Sequence, residues 1–213
     1  MTNAGLLSQK LLPLAVALTI ALALIVASTV ARADAVAGAG TSELVLANWS
    51  ITDSTGCLLT QALVTGSVAS LRGDGTIGPS AEVHAFQFNF CTNAFLYGDG
   101  VTLSPILNID QSLRAATLQG HVNLCGASSV TGFGCFSVSM DLTWGSTSEI
   151  QRVNETDQFR IGDTIVIAHV NGSTRDAIAF GSLNGGGVSW VEDDSQQAFI
   201  ALTLSNGIEI THN

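Results

Sequence analysis

The chain has 213 residues, 46% of them hydrophobic and 11% charged, with 22 glycines and 3 prolines. That apolar content is too high for a disordered chain, and the length suits a single β-sandwich or barrel core. The net charge is −10, which would repel a phosphate backbone and argues against nucleic acid as a partner.

The first segment accounts for part of the hydrophobicity. Lys10 precedes the apolar run LLPLAVALTIALALIVASTV, and Ala31-Arg32-Ala33 follows it. A basic residue, an apolar stretch and an A-x-A site together read as a secretory signal peptide over residues 1–33, cut after Ala33 or, as second choice, after Ala35. The apolar run covers residues 11–30, long enough to span a bilayer if it stays uncut, so an N-terminal membrane anchor is the alternative. No cysteine follows the run for acylation, and no apolar tail suggests a lipid-anchor signal. Removing residues 1–33 takes away Lys10 and Arg32. Five arginines and no lysine then face seventeen acidic residues. The expected location is secreted or otherwise extracytoplasmic, at the cell surface.

Residues 34–42, DAVAGAGTS, read as a flexible linker, and 43–213 as one all-β domain. Period-two alternation of apolar and polar residues runs through 44–51, 58–71, 81–91, 101–109, 116–124, 136–144, 164–170, 175–183, 196–204 and 207–211, the pattern of strands buried on one face. It is cleanest at 116–124 and 136–144, which read as an antiparallel pair. In AEVHAFQFNF, residues 81–90, Phe86, Phe88 and Phe90 share a face with Glu82 and His84, and the strand is expected to be covered on both sides at one end. Turn chemistry separates the strands: STG at 54–56, GDG at 73–75 and 98–100, NGS at 171–173, NGGG at 184–187, EDD at 192–194 and NG at 206–207. Residues 145–163 are the least regular and are expected to form a crossing or a lid. About ten strands at this spacing predict one antiparallel meander forming a β-sandwich or a flattened β-barrel.

Four cysteines, Cys57, Cys91, Cys125 and Cys135, stand in the expected mature chain. An even number in an exported chain suggests disulfides. Three pairings are possible, and Cys57–Cys91 with Cys125–Cys135 is favoured because the latter two face each other across one hairpin. Such a staple is worth about 2–3 kcal/mol for so short a loop. The stapled loop GASSVTGFG carries one exposed-looking aromatic, Phe133. It reads first as a stabilised turn and second as a ligand-contacting finger. A redox role is disfavoured, since no C-x-x-C is present.

The remaining candidates are weaker. GDGTIG matches G-x-G-x-x-G, but Pro79 and a strand-like run follow where a nucleotide site needs a helix. Glu192, Asp193 and Asp194, with Asp53 or Asp163, could supply oxygens to Ca²⁺, although a solvated turn is the simpler reading and no D-x-D-x-D-G loop exists. The histidines His84, His121, His169 and His212 are scattered, so no metal site is assigned. Trp49 and Trp190 are candidate surface platforms for a sugar ring, whereas Trp144 reads as core. Glu82, Asp141, Asp157 and Asp163 are carboxylates that could serve a glycosidase only if the fold paired them. Asn48, Asn154 and Asn171 open N-x-S/T sequons. These readings predict a non-enzymatic exported domain binding a small molecule, a glycan or a surface protein, or serving structurally. A secreted polysaccharide hydrolase is the alternative.

Overall fold

The computed structural model describes residues 36–37, 40–71, 75–161, 164–191 and 194–212. The proposed signal peptide lies outside them. The described elements are all strands: β1 (Val36–Ala37), β2 (Gly40–Thr52), β3 (Leu58–Leu71), β4 (Gly75–Asn89), β5 (Ala94–Thr102), β6 (Ile106–Ile109), β7 (Ala115–Ser128), β8 (Gly132–Ser146), β9 (Gln151–Ile161), β10 (Thr164–Gly185), β11 (Val188–Ser189) and β12 (Gln197–His212). They form one antiparallel sheet. No helix among the described residues is long and apolar enough to cross a membrane.

The hydrogen-bonded neighbours of β2 run through β3, β4, β5, β7, β8 and β10 to β12, which pairs with β2 again. The sheet thus curls around its own core. It is not a closed barrel: β5 meets β7 only through residues 96–99 and 125–128, and further along β7 pairs with β6 instead. The period-two pattern explains the packing. In β7, Ala116, Leu118, Val122 and Leu124 point inward, and in β8 Val138, Met140, Leu142 and Trp144 do the same. The inner faces of β2, β3 and β4 add Val45, Ala47, Trp49, Ala62, Val64, Val83 and Ala85 to the same cluster. Aromatic bulk inside comes chiefly from tryptophan, whose indole N–H needs a partner when buried. Trp144 donates to the Leu46 carbonyl at 2.9 Å and Trp190 to the Gly185 carbonyl at 3.2 Å.

Several expected boundaries move. Val36–Ala37 and residues 40–42, read as linker, are paired strand. Residues 151–161, read as irregular, form β9, which pairs along β10. The NGS at 171–173 lies inside the continuous β10, paired on both edges. The NG at 206–207 lies inside β12 where the register shifts, a bulge and not a turn. The GDG at 98–100 is the middle of β5. Its glycines answer a packing need: a Cβ on Gly100 would stand 2.3 Å from the Asn123 carbonyl oxygen, and one on Gly98 3.0 Å from the Leu124 Cβ. Residues 73–74 of the other GDG lie outside the described residues. Gly75 to Gly78 belong to β4, so no helix N-terminus exists there to receive a phosphate.

The connections sort into two ends. The turns at 53–57, 90–93, 129–131 and 186–187 share one end with both disulfides. The start of β2 and the last residues of β12 lie at the other.

Candidate functional site

The disulfides organise the first end. Cys57 pairs with Cys91 and Cys125 with Cys135, the pairing favoured from the sequence. The first bond ties the β2–β3 turn to the β4–β5 turn. Each turn is shaped by a side chain. Asp53 accepts from the Leu58 N–H at 3.0 Å and from the Thr55 hydroxyl at 2.7 Å. These donors, the Leu58 amide foremost, hold its carboxyl below the usual carboxylate range. Asn89 Oδ1 accepts from the Cys91 and Thr92 amides at 3.0 and 2.9 Å, and Asn93 closes that turn with φ of 59°.

The second bond spans β7 and β8 directly below their tip, where Ser128 Oγ accepts from the Val130 N–H at 3.1 Å. The tip is also tied to the neighbouring turn. Ser129 donates its N–H to the Phe95 carbonyl, and Phe95 returns its own N–H to Ser129 Oγ, both at 3.0 Å. The stapled finger is therefore fixed to β5 as well as to itself.

Register then decides what this rigid end displays. Residues directly opposite in an antiparallel pair share a face. With Val83 and Ala85 of β4 buried, Glu82, His84, Phe86 and Phe88 point outward. Opposite them on β5 stand Asp99 facing His84, Tyr97 facing Phe86, and Phe95 facing Phe88. Tyr97 in turn faces Ala127 of β7, and Ala127 faces Phe133 of β8. One row therefore crosses four strands as Phe86, Tyr97, Ala127 and Phe133. The adjacent row reads His84, Asp99, Cys125 and Cys135. Phe86 and Phe88 are stacked at 6.4 Å between centroids, and Phe90 meets Phe88 edge-on at 5.0 Å. Phe90 is 56% exposed and Phe133 79%. The β4 aromatics, expected to be covered on both sides at one end, are half-buried, Phe86 against Phe88 and Phe88 against Phe90.

His84 is the polar centre of this face. Its Nδ1 lies 2.7 Å from Asp99 Oδ1 and its Nε2 3.0 Å from Glu82 Oε1. An ionised carboxylate only accepts, so both contacts are made together when both ring nitrogens carry protons. All three side chains are about half exposed, so the pairs add little to stability. Their effect is to fix the side chains. A groove of about 260 Å³ opens beside them, lined among others by Asn48, Gln61, His84, Phe86, Tyr97 and Asp99. The cluster does not have the form of a catalytic triad. The partners of both ring nitrogens are carboxylates, and neither contact is to a hydroxyl or thiol nucleophile. A second hollow of about 340 Å³ lies behind the finger, lined by Leu96, Gly126, Ser128, Gly134, Phe136 and Gly186 among others.

The other expected site residues fare differently. Trp49 and Trp190 are fully buried, so neither is the surface platform expected of it. Trp190 stacks on Phe136 at 6.1 Å in the interior. Asp194 is exposed, while Glu192, Asp193 and Asp163 lie outside the described residues. Among the described residues, no group of three or more His, Cys, Asp or Glu is placed to hold a metal. Asp141 faces solvent and accepts from Gln119 Nε2 at 2.9 Å. His121 is exposed, and His169 Nδ1 lies 3.1 Å from Thr156 Oγ1. Of the candidate carboxylates, Glu82 joins a cluster, through His84, while Asp163 lies outside the described residues.

Phe95, Tyr97 and the His84–Asp99 contact escape the sequence reading because it places a turn at 98–100. Had the hairpin been centred on CTN at 91–93, the F-x-F-x-F before it and the F-x-Y after it would have paired at once.

No protein-family model and no curated protein matches the chain. A solved structure described as a "putative AttH" from Nitrosomonas europaea is similar at 8% identity with a TM-score of 0.36, covering 79% of this chain. The chain spans about half the length of that protein, 52%. A likeness at this level carries no argument.

Proposed function

We propose that the protein is an exported, non-enzymatic binding domain whose ligand lies on the outward face of β4, β5, β7 and β8 at the disulfide-bonded end. One observation carries this reading. Six of the chain's ten Phe and Tyr residues (Phe86, Phe88, Phe90, Phe95, Tyr97 and Phe133) stand on that face or at its rim, while Trp49, Trp144 and Trp190 are buried. A sheet face turned to water is ordinarily polar, and clustered exposed aromatics on a rigid scaffold mark contact surfaces. Export is supported by the signal-like N-terminus and by two disulfides, which persist in oxidising compartments.

The test is retention of the oxidised protein on cell-envelope material. Tyr97→Ala and Phe133→Ala should each lower retention about tenfold, a loss of roughly 1.4 kcal/mol, while thermal unfolding stays cooperative. Equal retention of wild type and both variants would remove the face as the binding site.

A further inference from the structure

We infer that the ligand of this face is an uncharged, hydroxyl-rich polymer, a neutral polysaccharide, lying across the strands along the row Phe86, Tyr97, Ala127, Phe133. The inference rests on the binding role proposed above and adds the chemistry of what is bound.

Shape is the first argument. Neighbouring strands lie about 4.8 Å apart. Phe86 and Tyr97 are on adjacent strands, but Tyr97 and Phe133 are separated by β7, where the facing residue is Ala127. Two aromatic side chains about 10 Å apart therefore flank a methyl group. That is a trough with an apolar floor, wide enough for a saturated ring to lie between their edges. Sugar rings present C–H faces to such floors and hydroxyls to the sides.

The polar rim is the second argument. Asn48 and Gln61 line the groove next to Phe86 and Tyr97, and Asp99 and Glu82 are oriented by His84. Carboxylates and carboxamides both accept from hydroxyls, and the amides also donate. Few convergent polar groups beside an apolar surface are the usual makeup of a small-molecule or glycan site.

Charge excludes the competitors. Among the described residues, the arginines stand on elements other than β4 and β5. Arg152 and Arg160 belong to β9, Arg114 to the turn before β7, and Arg175 is buried with its guanidinium donating to the Ser148 carbonyl at 2.8 Å. A polymer of uronates, sulfates or phosphates would meet two carboxylates against one imidazole, a site of net negative charge. A lipid surface would suit Val130 and Phe133 at the tip. It would have to accommodate Glu82, His84 and Asp99 a few residues along the same face, without a lysine to meet headgroups. A protein interface is ordinarily anchored by Trp, Tyr and Arg in closed pockets; this face offers Tyr97 on an open row, with no Trp and no arginine on β4 or β5.

Affinity electrophoresis and calorimetry with hydroxyethylcellulose and galactomannan as neutral probes, and polygalacturonate as the anionic one, test the inference. Wild type should bind at least one neutral polymer and ignore polygalacturonate. Tyr97→Ala and Phe133→Ala should weaken binding at least tenfold. Phe180→Ala, at an exposed aromatic on another strand, should change nothing. Ala127→Phe is the sharper variant: it fills the trough while adding aromatic surface, so a trough loses binding and a merely greasy face gains it. Stronger binding by Ala127→Phe, preference for polygalacturonate, or equal loss in Phe180→Ala would each overturn the inference. Envelope retention that depends on Tyr97 and Phe133, with neither neutral polymer bound, would overturn the polysaccharide and leave the binding face standing. Loss of both would overturn both.

Discussion

Two neighbouring hairpins obey the same alternation and show opposite faces to water. Along β7 and β8, below the disulfide, the outward residues are Gln119, His121, Asn123, Ser137, Ser139 and Asp141, most of them exposed, with Leu118, Val122, Val138 and Met140 inside. Along β4 and β5 the inside is smaller, with Ala81, Val83, Ala85 and Gly98, and the outside carries Phe86, Phe88, Phe95 and Tyr97. Folding requires only the inward half of each pattern. The β7–β8 pair shows what suffices on the outward half, so the aromatics of β4–β5 are surplus to the core and point to contact with something else.

The sharpest way to separate the two halves is to attack the inward one. Trp144 is fully buried and hydrogen-bonded to β2. Trp144→Ala should cost about 3–5 kcal/mol, read as a large drop in the denaturant midpoint. The staples come next. Cys57–Cys91 closes 34 residues and Cys125–Cys135 closes 10. On chain-entropy grounds, replacing the pairs by serine should cost about 4 and about 3 kcal/mol respectively. Equal losses would indicate that local geometry, not loop length, sets their contribution.

Smaller effects test the outward half. Making β4–β5 resemble β7–β8 by Phe88→Thr with Phe95→Thr should change stability by less than about 1 kcal/mol, since cross-strand pairs on an open face contribute about that much at most. A loss of several kcal/mol in equilibrium unfolding would mean that the aromatics belong to the core after all. The smallest effect concerns Asp53. Its donors lower its folded-state value, so its contribution is complete at neutral pH and is lost as pH falls through the carboxylate range. Asp53→Ala should lower the midpoint of thermal unfolding slightly at pH 7 and converge with wild type in acid. A difference that persists in acid would show that the substitution acts otherwise.

The fold was legible where pattern and position coincide. Period two located β3, β7 and β8 to within a few residues, because one face of each is buried and the other is wet. It failed at glycine. Gly98, Gly100 and Gly172 read as turn formers by composition, yet their role depends on which strand lies against them, and no local window contains that. Half of the site was legible too. The aromatics of β4 share a face by simple alternation, and the stapled finger follows from cysteine spacing. The other half required register: His84 meets Asp99, and Tyr97 and Phe133 bracket Ala127, only once β4, β5, β7 and β8 are laid side by side. Trp49 and Trp190 misled because a large aromatic near a polar turn looks the same in sequence whether it points in or out.

The two-ended arrangement has a practical corollary. The start of β2 lies opposite Ser205 of β12, and β2 runs for 13 residues before the disulfide-bonded turns begin. At about 3.3 Å per residue, a support, fluorophore or fusion partner joined at the start of β2 sits roughly 40 Å from the turns that frame the aromatic rows. Immobilised there, the molecule stands like a brush with its bristles outward.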